Sequence, residues 1–211
     1  MGRAEKNLTA LLAFDHEHRM PKTLHLAGAD EAGRGPLAGP VVAACCSAGP
    51  DVVIPGVFDS KQLTIHQRNN LYTKITTNVK YGVGIVHHDV IDEINILEAT
   101  KLATLQAISQ VQPEYTLIDG FSLSDVPCKK VIKGDQLSFL IACASIIAKC
   151  VRDKLMVEKY HPLYPQYGFD RHKGYGTKHH REALAAHGPC PIHRLSFKWG
   201  QKTKKTSESL R

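Results

Sequence analysis

The chain has 211 residues, 43% of them apolar and 22% charged, which is ordinary globular composition for about one domain. Disorder, collagen and coiled coil are excluded for the body, and the longest apolar run, 139–148, is far short of the ~20 residues that cross a bilayer. The net charge of +7 is unevenly held: residues 1–170 carry net −1 and residues 171–211 net +8, so a polyanionic partner is expected at the C-terminal end, nucleic acid before membrane.

Residues 1–22 have only a short apolar patch at 8–14 and lack the basic start and small-residue cleavage site of a signal peptide, so a cytoplasmic location is expected. Residues 23–30 form a strand that runs into a Gly/Pro-rich turn, 32–40, and a second strand follows at 41–47, making a hairpin with a long connection. A helix is predicted over 64–77, with Thr64 as its N-cap and Leu71 and Ile75 one turn apart. Alternation marks a third strand at 81–87, and helical spacing returns over 90–111 through Ile91, Ile94, Leu97, Leu102 and Leu105. A short buried strand at 115–118 ends at Asp119-Gly120. After Val131-Ile132, Asp135 opens an apolar helix that runs to about Tyr160, and a further helix covers 178–187. Strands in a meander followed by strands alternating with helices predict an α/β layer with a mixed sheet.

Six cysteines without a CxxC pair are expected to be reduced, with Cys45, Cys46, Cys143 and Cys150 packed as small hydrophobes. Six of the twelve histidines fall between His161 and His193, where protonation or phosphate contact is expected to add to the basic face.

The carboxylates carry the chemistry. Asp30 and Glu31 end the first strand, Asp119 ends the fourth, and Asp135 stands at the start of the long helix, all edge positions where catalytic groups collect. Neighbouring strand residues point to opposite faces, so Asp30 and Glu31 share a site only if the chain bends, which Ala32-Gly33 allows. Clustered carboxylates resist ionisation, and a hard divalent cation, Mg²⁺ or Mn²⁺, removes that penalty. Asp135 also reads as a helix N-cap and Asp119 as a turn residue. The glycine loop 28–35 lacks the GK[ST] ending of a phosphate loop and contains two acids; neither GxSxG nor HExxH occurs.

These residues resemble bacterial ribonuclease HII, the type 2 ribonucleases H. The match begins at Ala27-Gly-Ala-Asp-Glu-Ala-Gly-Arg-Gly-Pro-Leu-Ala-Gly-Pro-Val and continues through Asp59-Ser60-Lys61, Asn95-Ile96-Leu97 with Ala99-Thr100, Ile118-Asp119-Gly120 and Lys133-Gly134-Asp135. It ends with Ala144-Ser145-Ile146-Ile147-Ala148-Lys149, Arg152-Asp153, Arg171-His172-Lys173-Gly174-Tyr175-Gly176-Thr177 and His193-Arg194. The resemblance implies a ribonuclease H-like mixed sheet flanked by helices with a C-terminal helical, basic extension. It divides the chain into an N-terminal extension, 1–22, a catalytic domain with its substrate-binding segment, 23–197, and a flexible basic tail, 198–211.

The same resemblance makes Asp30, Glu31, Asp119 and Asp135 the four acids that hold Mg²⁺ or Mn²⁺. Gly33, Arg34 and Gly35 face the 2′-hydroxyl side of the ribonucleotide, Tyr175 packs on the neighbouring deoxyribose, and Lys61 lies near the phosphates. The implied activity is hydrolysis of RNA paired with DNA, including 5′ of a single embedded ribonucleotide, as in ribonucleotide and RNA primer removal. Products carry 3′-hydroxyl and 5′-phosphate ends. Departures from the pattern, Cys143, Cys150 and Phe121, concern packing. No sliding-clamp motif stands in 198–211, and a monomer is expected. Two other classes remain: a metal-independent ribonuclease using His179-His180 or His193, and a non-catalytic nucleic-acid binding module.

Overall fold

The computed structural model describes residues 3–19, 25–57 and 63–198. Five strands form one sheet in the order β3-β2-β1-β4-β5: β1 (Leu26–Ala32), β2 (Val41–Ser47), β3 (Lys80–Val86), β4 (Tyr115–Asp119) and β5 (Cys128–Val131). The first three run as an antiparallel meander, and β4 and β5 join parallel to β1. The expected α/β class, mixed sheet and hairpin are all present.

Strand periodicity sorts β1 between two helical layers. Leu26 packs beneath α4 (Phe139–Lys154), and Ala27 and Ala29 pack with Ala107, Ile108 and Val111 of α3 (His88–Val111) on the other face. All seven residues of β2 are buried because both faces are covered. At Gly28 a Cβ would overlap the backbone of Leu140 and Ile141, so glycine is what lets α4 lie directly on β1.

Helix α2 (Ile65–Asn78) starts where predicted. Thr64 Oγ1 accepts the Gln67 amide and Gln67 Oε1 accepts the Thr64 amide, a reciprocal cap worth about 1 kcal/mol, while Leu71 and Ile75 are buried. Helix α3 begins two residues earlier than predicted and is broken at Asn95, where φ is 67°. The Asn95 side chain restarts it by accepting the Leu97 and Glu98 amides at 2.9 and 3.2 Å.

Two expectations are corrected. Asp135 does not cap the long helix: it lies in a 3₁₀ turn, Gly134–Gln136, and Ser138 caps α4 by accepting the Ile141 amide at 3.1 Å. Nor is 135–160 one regular helix, since α4 ends at Lys154 and the chain widens into a π-helix over Leu155–Tyr160. Two short turns, α5 (His161–Leu163) and α6 (Phe169–His172), then lead to α7 (Lys178–His187).

The N-terminal segment forms α1 (Arg3–His18), whose docking rests on partners far along the chain. Leu11 enters the core beside α4, Asp15 accepts the Leu140 amide at 2.9 Å, and Arg19 donates to the Ala48 carbonyl at 2.8 Å. Burial pushes the Asp15 carboxyl up to about 6. All six cysteines are free thiols; Cys45, Cys46 and Cys143 are buried as expected, whereas Cys150 is half-buried. Among the described residues no helix is long and apolar enough to cross a membrane.

Candidate active site

Because β1 and β4 are parallel neighbours, their C-terminal ends meet at one edge. Their pairing stops at Ala29 and Ile118, and the next residues outward are Asp30 and Asp119. Asp30 is 7% exposed; its Oδ1 accepts the Glu31 amide at 2.7 Å, and Ser145 of α4 bonds its side chain. Burial, then the charges of Glu31 and Asp119, push its carboxyl well above the usual range. Glu31 is pushed the same way by burial and Asp119, opposed by Arg34, whose Nη1 stands 3.4 Å from Glu31 Oε1.

Asp30 and Glu31 therefore share a site, but not through the expected bend. The strand stays paired through Ala32 with Val42, and left-handed backbone first occurs at Gly33. Both acids lie past the point where β4 stops pairing with β1, and the Asp30 carboxylate accepts the amide of Glu31 itself.

Asp119 Oδ1 accepts the Gly134 amide at 2.6 Å, tying the end of β4 to the 3₁₀ turn. That turn carries Asp135, 2% exposed, to the same edge. Among the described residues no three His, Cys, Asp or Glu side chains close into a finished ligand shell. Acids without a counter-ion repel, and Asp30, Glu31 and Asp119 stand within Coulombic reach of one another. The set nevertheless fits a hard divalent cation. The donors are all carboxylate oxygens, Asp30 and Glu31 resist ionisation, and Glu31 Oε2 is buried with no hydrogen-bond partner.

Beside the acids lies the glycine loop. It is hung on two fully buried arginines, Arg152 and Arg194, which sequence reasoning leaves without a role. Arg194 donates to the carbonyls of Gly33, Arg34 and Gly39, and Arg152 to those of Ala38, Pro40 and Lys173. Burial works against both charges, and the six carbonyl dipoles offset it. Leu37 donates to the Gly174 carbonyl at 2.8 Å, bringing Tyr175 beside Gly35. Tyr175 is 40% exposed, with Lys149 Nζ 5.5 Å and Arg152 Cζ 5.7 Å from its ring centre. Sequence reasoning likewise leaves Ser145 without a role, because its partner Asp30 lies on a strand far away in the chain. Lys61, the Asp59-Ser60-Lys61 block and residues 199–211 lie outside the described residues.

The histidine expectation is overturned for the central members of the group. His180 and His193 are buried, their Nε2 atoms 3.0 Å apart, and His172 stacks on His180 at 4.5 Å. Burial pushes His180 and His193 down to about 4 and also lowers His172. These rings pack with Tyr167 and Phe169 as neutral groups instead of facing phosphate. Their folded values lie below the ordinary 6.5, so the unfolded chain binds more protons between about 6.5 and 4. Their contribution to stability is thus present above that window and lost as pH falls through it. In ¹⁵N NMR the rings of His180 and His193 are expected to stay neutral at pH 5.5; imidazolium shifts there would refute the neutral cluster.

Comparison with known proteins agrees with this architecture. The ribonuclease HII family model matches residues 27–199. Ribonuclease HII of Chlamydia pneumoniae is 51% identical over 193 residues, covering 89% of this chain and 90% of the relative. In solved structures, the RNase HII of the Archaeoglobus fulgidus PCNA:RNase HII complex superimposes with TM-score 0.71 at 27% identity, covering 86% of this chain and 98% of the other. The ribonuclease H2 of Pyrococcus horikoshii gives 0.67 at 28% identity, covering 83% and 95%. With the family model matching residues 27–199 and half the residues of a bacterial ribonuclease HII in common, the chain belongs to the ribonuclease HII family and is a ribonuclease H.

Proposed function

We propose that the chain is a metal-dependent endoribonuclease that hydrolyses the RNA strand of RNA–DNA hybrids and cuts 5′ of a single ribonucleotide embedded in duplex DNA. The observation that carries this reading is the joining, at one sheet edge, of the Asp30, Glu31 and Asp119 cluster with the glycine loop and Tyr175. A binding module gains nothing from repelling carboxylates facing a polyanion, whereas a phosphodiester hydrolase uses them. A histidine mechanism is disfavoured by the burial of His180 and His193.

Asp30, Glu31, Asp119 and Asp135 are the residues that would hold Mg²⁺ or Mn²⁺, which supplies charge neutralisation at the scissile phosphate and acidifies the attacking water. Ser145 and the Glu31 amide hold the Asp30 carboxylate in place, and the Gly134 amide holds that of Asp119. Water oxygen joins phosphorus in line and gives up its proton as the bond to O3′ breaks; O3′ takes a proton, leaving 3′-hydroxyl and 5′-phosphate ends.

Recognition falls to the neighbouring surface. With the Gly33 and Arg34 carbonyls turned inward to Arg194, the Arg34 and Gly35 amides donate no backbone hydrogen bond among the described residues. Such amides suit the 2′-hydroxyl, the group that separates RNA from DNA at the sugar. Tyr175 is placed to pack on the adjoining deoxyribose, and Lys61 is assigned to the phosphates on sequence alone. The exposed Arg171, Lys178, Arg181 and Lys198 suit the flanking duplex, with binding that weakens as salt rises. The proposed enzyme is a monomer acting in ribonucleotide and RNA primer removal.

An end-labelled DNA duplex with one ribonucleotide, incubated with Mg²⁺, Mn²⁺ or EDTA, tests the reading. Metal-dependent cleavage on the 5′ side leaving a 3′-hydroxyl is the expected result. No cleavage in either metal, or metal-independent cyclic phosphate ends, would overturn it.

A further inference from the structure

Arg152 belongs to a sequence block that the proposed chemistry leaves without a task, yet its guanidinium touches both the glycine loop and the Tyr175 segment. Nε donates to the Pro40 carbonyl at 2.9 Å and Nη2 to that of Ala38 at 3.2 Å, both at the base of the glycine loop. Nη1 donates to the Lys173 carbonyl at 3.0 Å, two residues before Tyr175, and the guanidinium carbon lies 5.7 Å from the Tyr175 ring centre. Gly33 makes room for it, since a Cβ there would overlap the Arg152 side chain. Among the described residues Arg152 forms no ion pair, so its donors are committed to backbone carbonyls instead of a carboxylate.

Helix α4 acts as a ruler between acids and recognition surface. Ser145, bonded to Asp30, and Arg152 are seven positions apart, two turns or about 10 Å along the helix and close to one face. The same rigid element therefore holds the cleavage site at one point and the loop–tyrosine junction at another.

We propose that Arg152 is a positioning residue that couples the glycine loop to Tyr175 and thereby sets the preference for a ribonucleotide followed by deoxyribose; this rests on the function proposed above. Tyr175 packing on deoxyribose contributes at a single embedded ribonucleotide and has no counterpart inside an RNA tract, where the next sugar carries its own 2′-hydroxyl. Losing the strut therefore penalises the first substrate selectively. Lysine retains the charge but brings one nitrogen where three carbonyls are spaced around a fork.

The test uses the full chain and two differently labelled duplexes in one tube, one with a single ribonucleotide and one with a continuous RNA strand opposite DNA. Because both are cut by the same preparation, their rate ratio is unmoved by any loss of folded protein. Arg152→Lys is expected to lower the single-ribonucleotide to tract ratio about tenfold, with Arg152→Gln doing the same. In a Tyr175→Ala background, itself reduced on the single ribonucleotide, Arg152→Lys is expected to change the ratio no further. An unchanged ratio, including a fall of both rates in step, would mean a merely structural arginine and would overturn the proposal. If the wild-type chain cuts neither duplex, the functional reading fails and this inference with it; if it cuts both and the variants keep its ratio, the inference alone fails.

Discussion

Asp30→Asn is expected to reduce cleavage by roughly 10³-fold or more while raising the thermal midpoint in EDTA by a few degrees. The two effects have one cause. Asp30 is 7% exposed beside Glu31 and Asp119, so its negative charge is disfavoured by burial and by like charge. Asparagine has the same shape, keeps an oxygen for the Glu31 amide, and removes the charge. The sign with pH follows from the raised carboxyl: between its ordinary value of 3.8 and its folded value the folded chain binds more protons. Wild type therefore gains stability as pH falls through that window and loses it as pH rises, so the advantage of asparagine is largest at high pH and shrinks in acid. Added Mg²⁺ or Mn²⁺ is expected to raise the midpoint of wild type and leave the variant nearly unmoved, because a cation binding the folded state alone stabilises it by mass action. Calorimetry with and without the ion checks this. Wild-type cleavage by the variant, or a lower midpoint in EDTA, would remove Asp30 from the site.

What could be read from the sequence is what depends on local pattern. Two acids closing an apolar strand have no packing use, so Asp30-Glu31 announced a site before any coordinates did. The Thr64 cap was legible because its partner Gln67 stands three residues on. What failed depends on distant partners. Asp135 and Ser138 are both capping residues by type, and the choice between them was made by the Asp119–Gly134 bond, which pulls the turn toward β4 and leaves Ser138 to start the helix. No local pattern marks Arg152 or Arg194 as buried, because the glycine-loop carbonyls that accept from them are 112 to 114 and 155 to 161 residues away. The histidines misled for the same reason, since composition counts them as potential charge while Tyr167 and Phe169 pack around them. Helix α1 was invisible as a structural element because its anchor, Asp15, accepts an amide 125 residues later, that of Leu140.

Gly33→Ala is expected to damage the recognition surface while leaving the acids in place. At φ 100° an alanine is strained, and its Cβ would overlap the Arg152 guanidinium and crowd the Pro40 carbonyl at 2.7 Å. Arg152 cannot step aside cheaply, being buried with three carbonyls on its donors. The loop must move instead, and with it the Arg34 and Gly35 amides and the base of Tyr175. A shift of about 1 Å in a positioning element is enough to cost about 100-fold in rate, and a drop of that order in single-turnover cleavage at an embedded ribonucleotide is expected. The midpoint is expected to fall as well, by several degrees, which sets this variant apart from Asp30→Asn: there activity and stability move in opposite directions, and here they fall together. The divalent-ion stabilisation should persist, because Asp30, Asp119 and Asp135 are held by Ser145, Gly134 and the 3₁₀ turn and not by the loop. A Gly33→Ala protein that cuts the single ribonucleotide at the wild-type rate would show that the loop tolerates displacement and that recognition lies elsewhere on the surface.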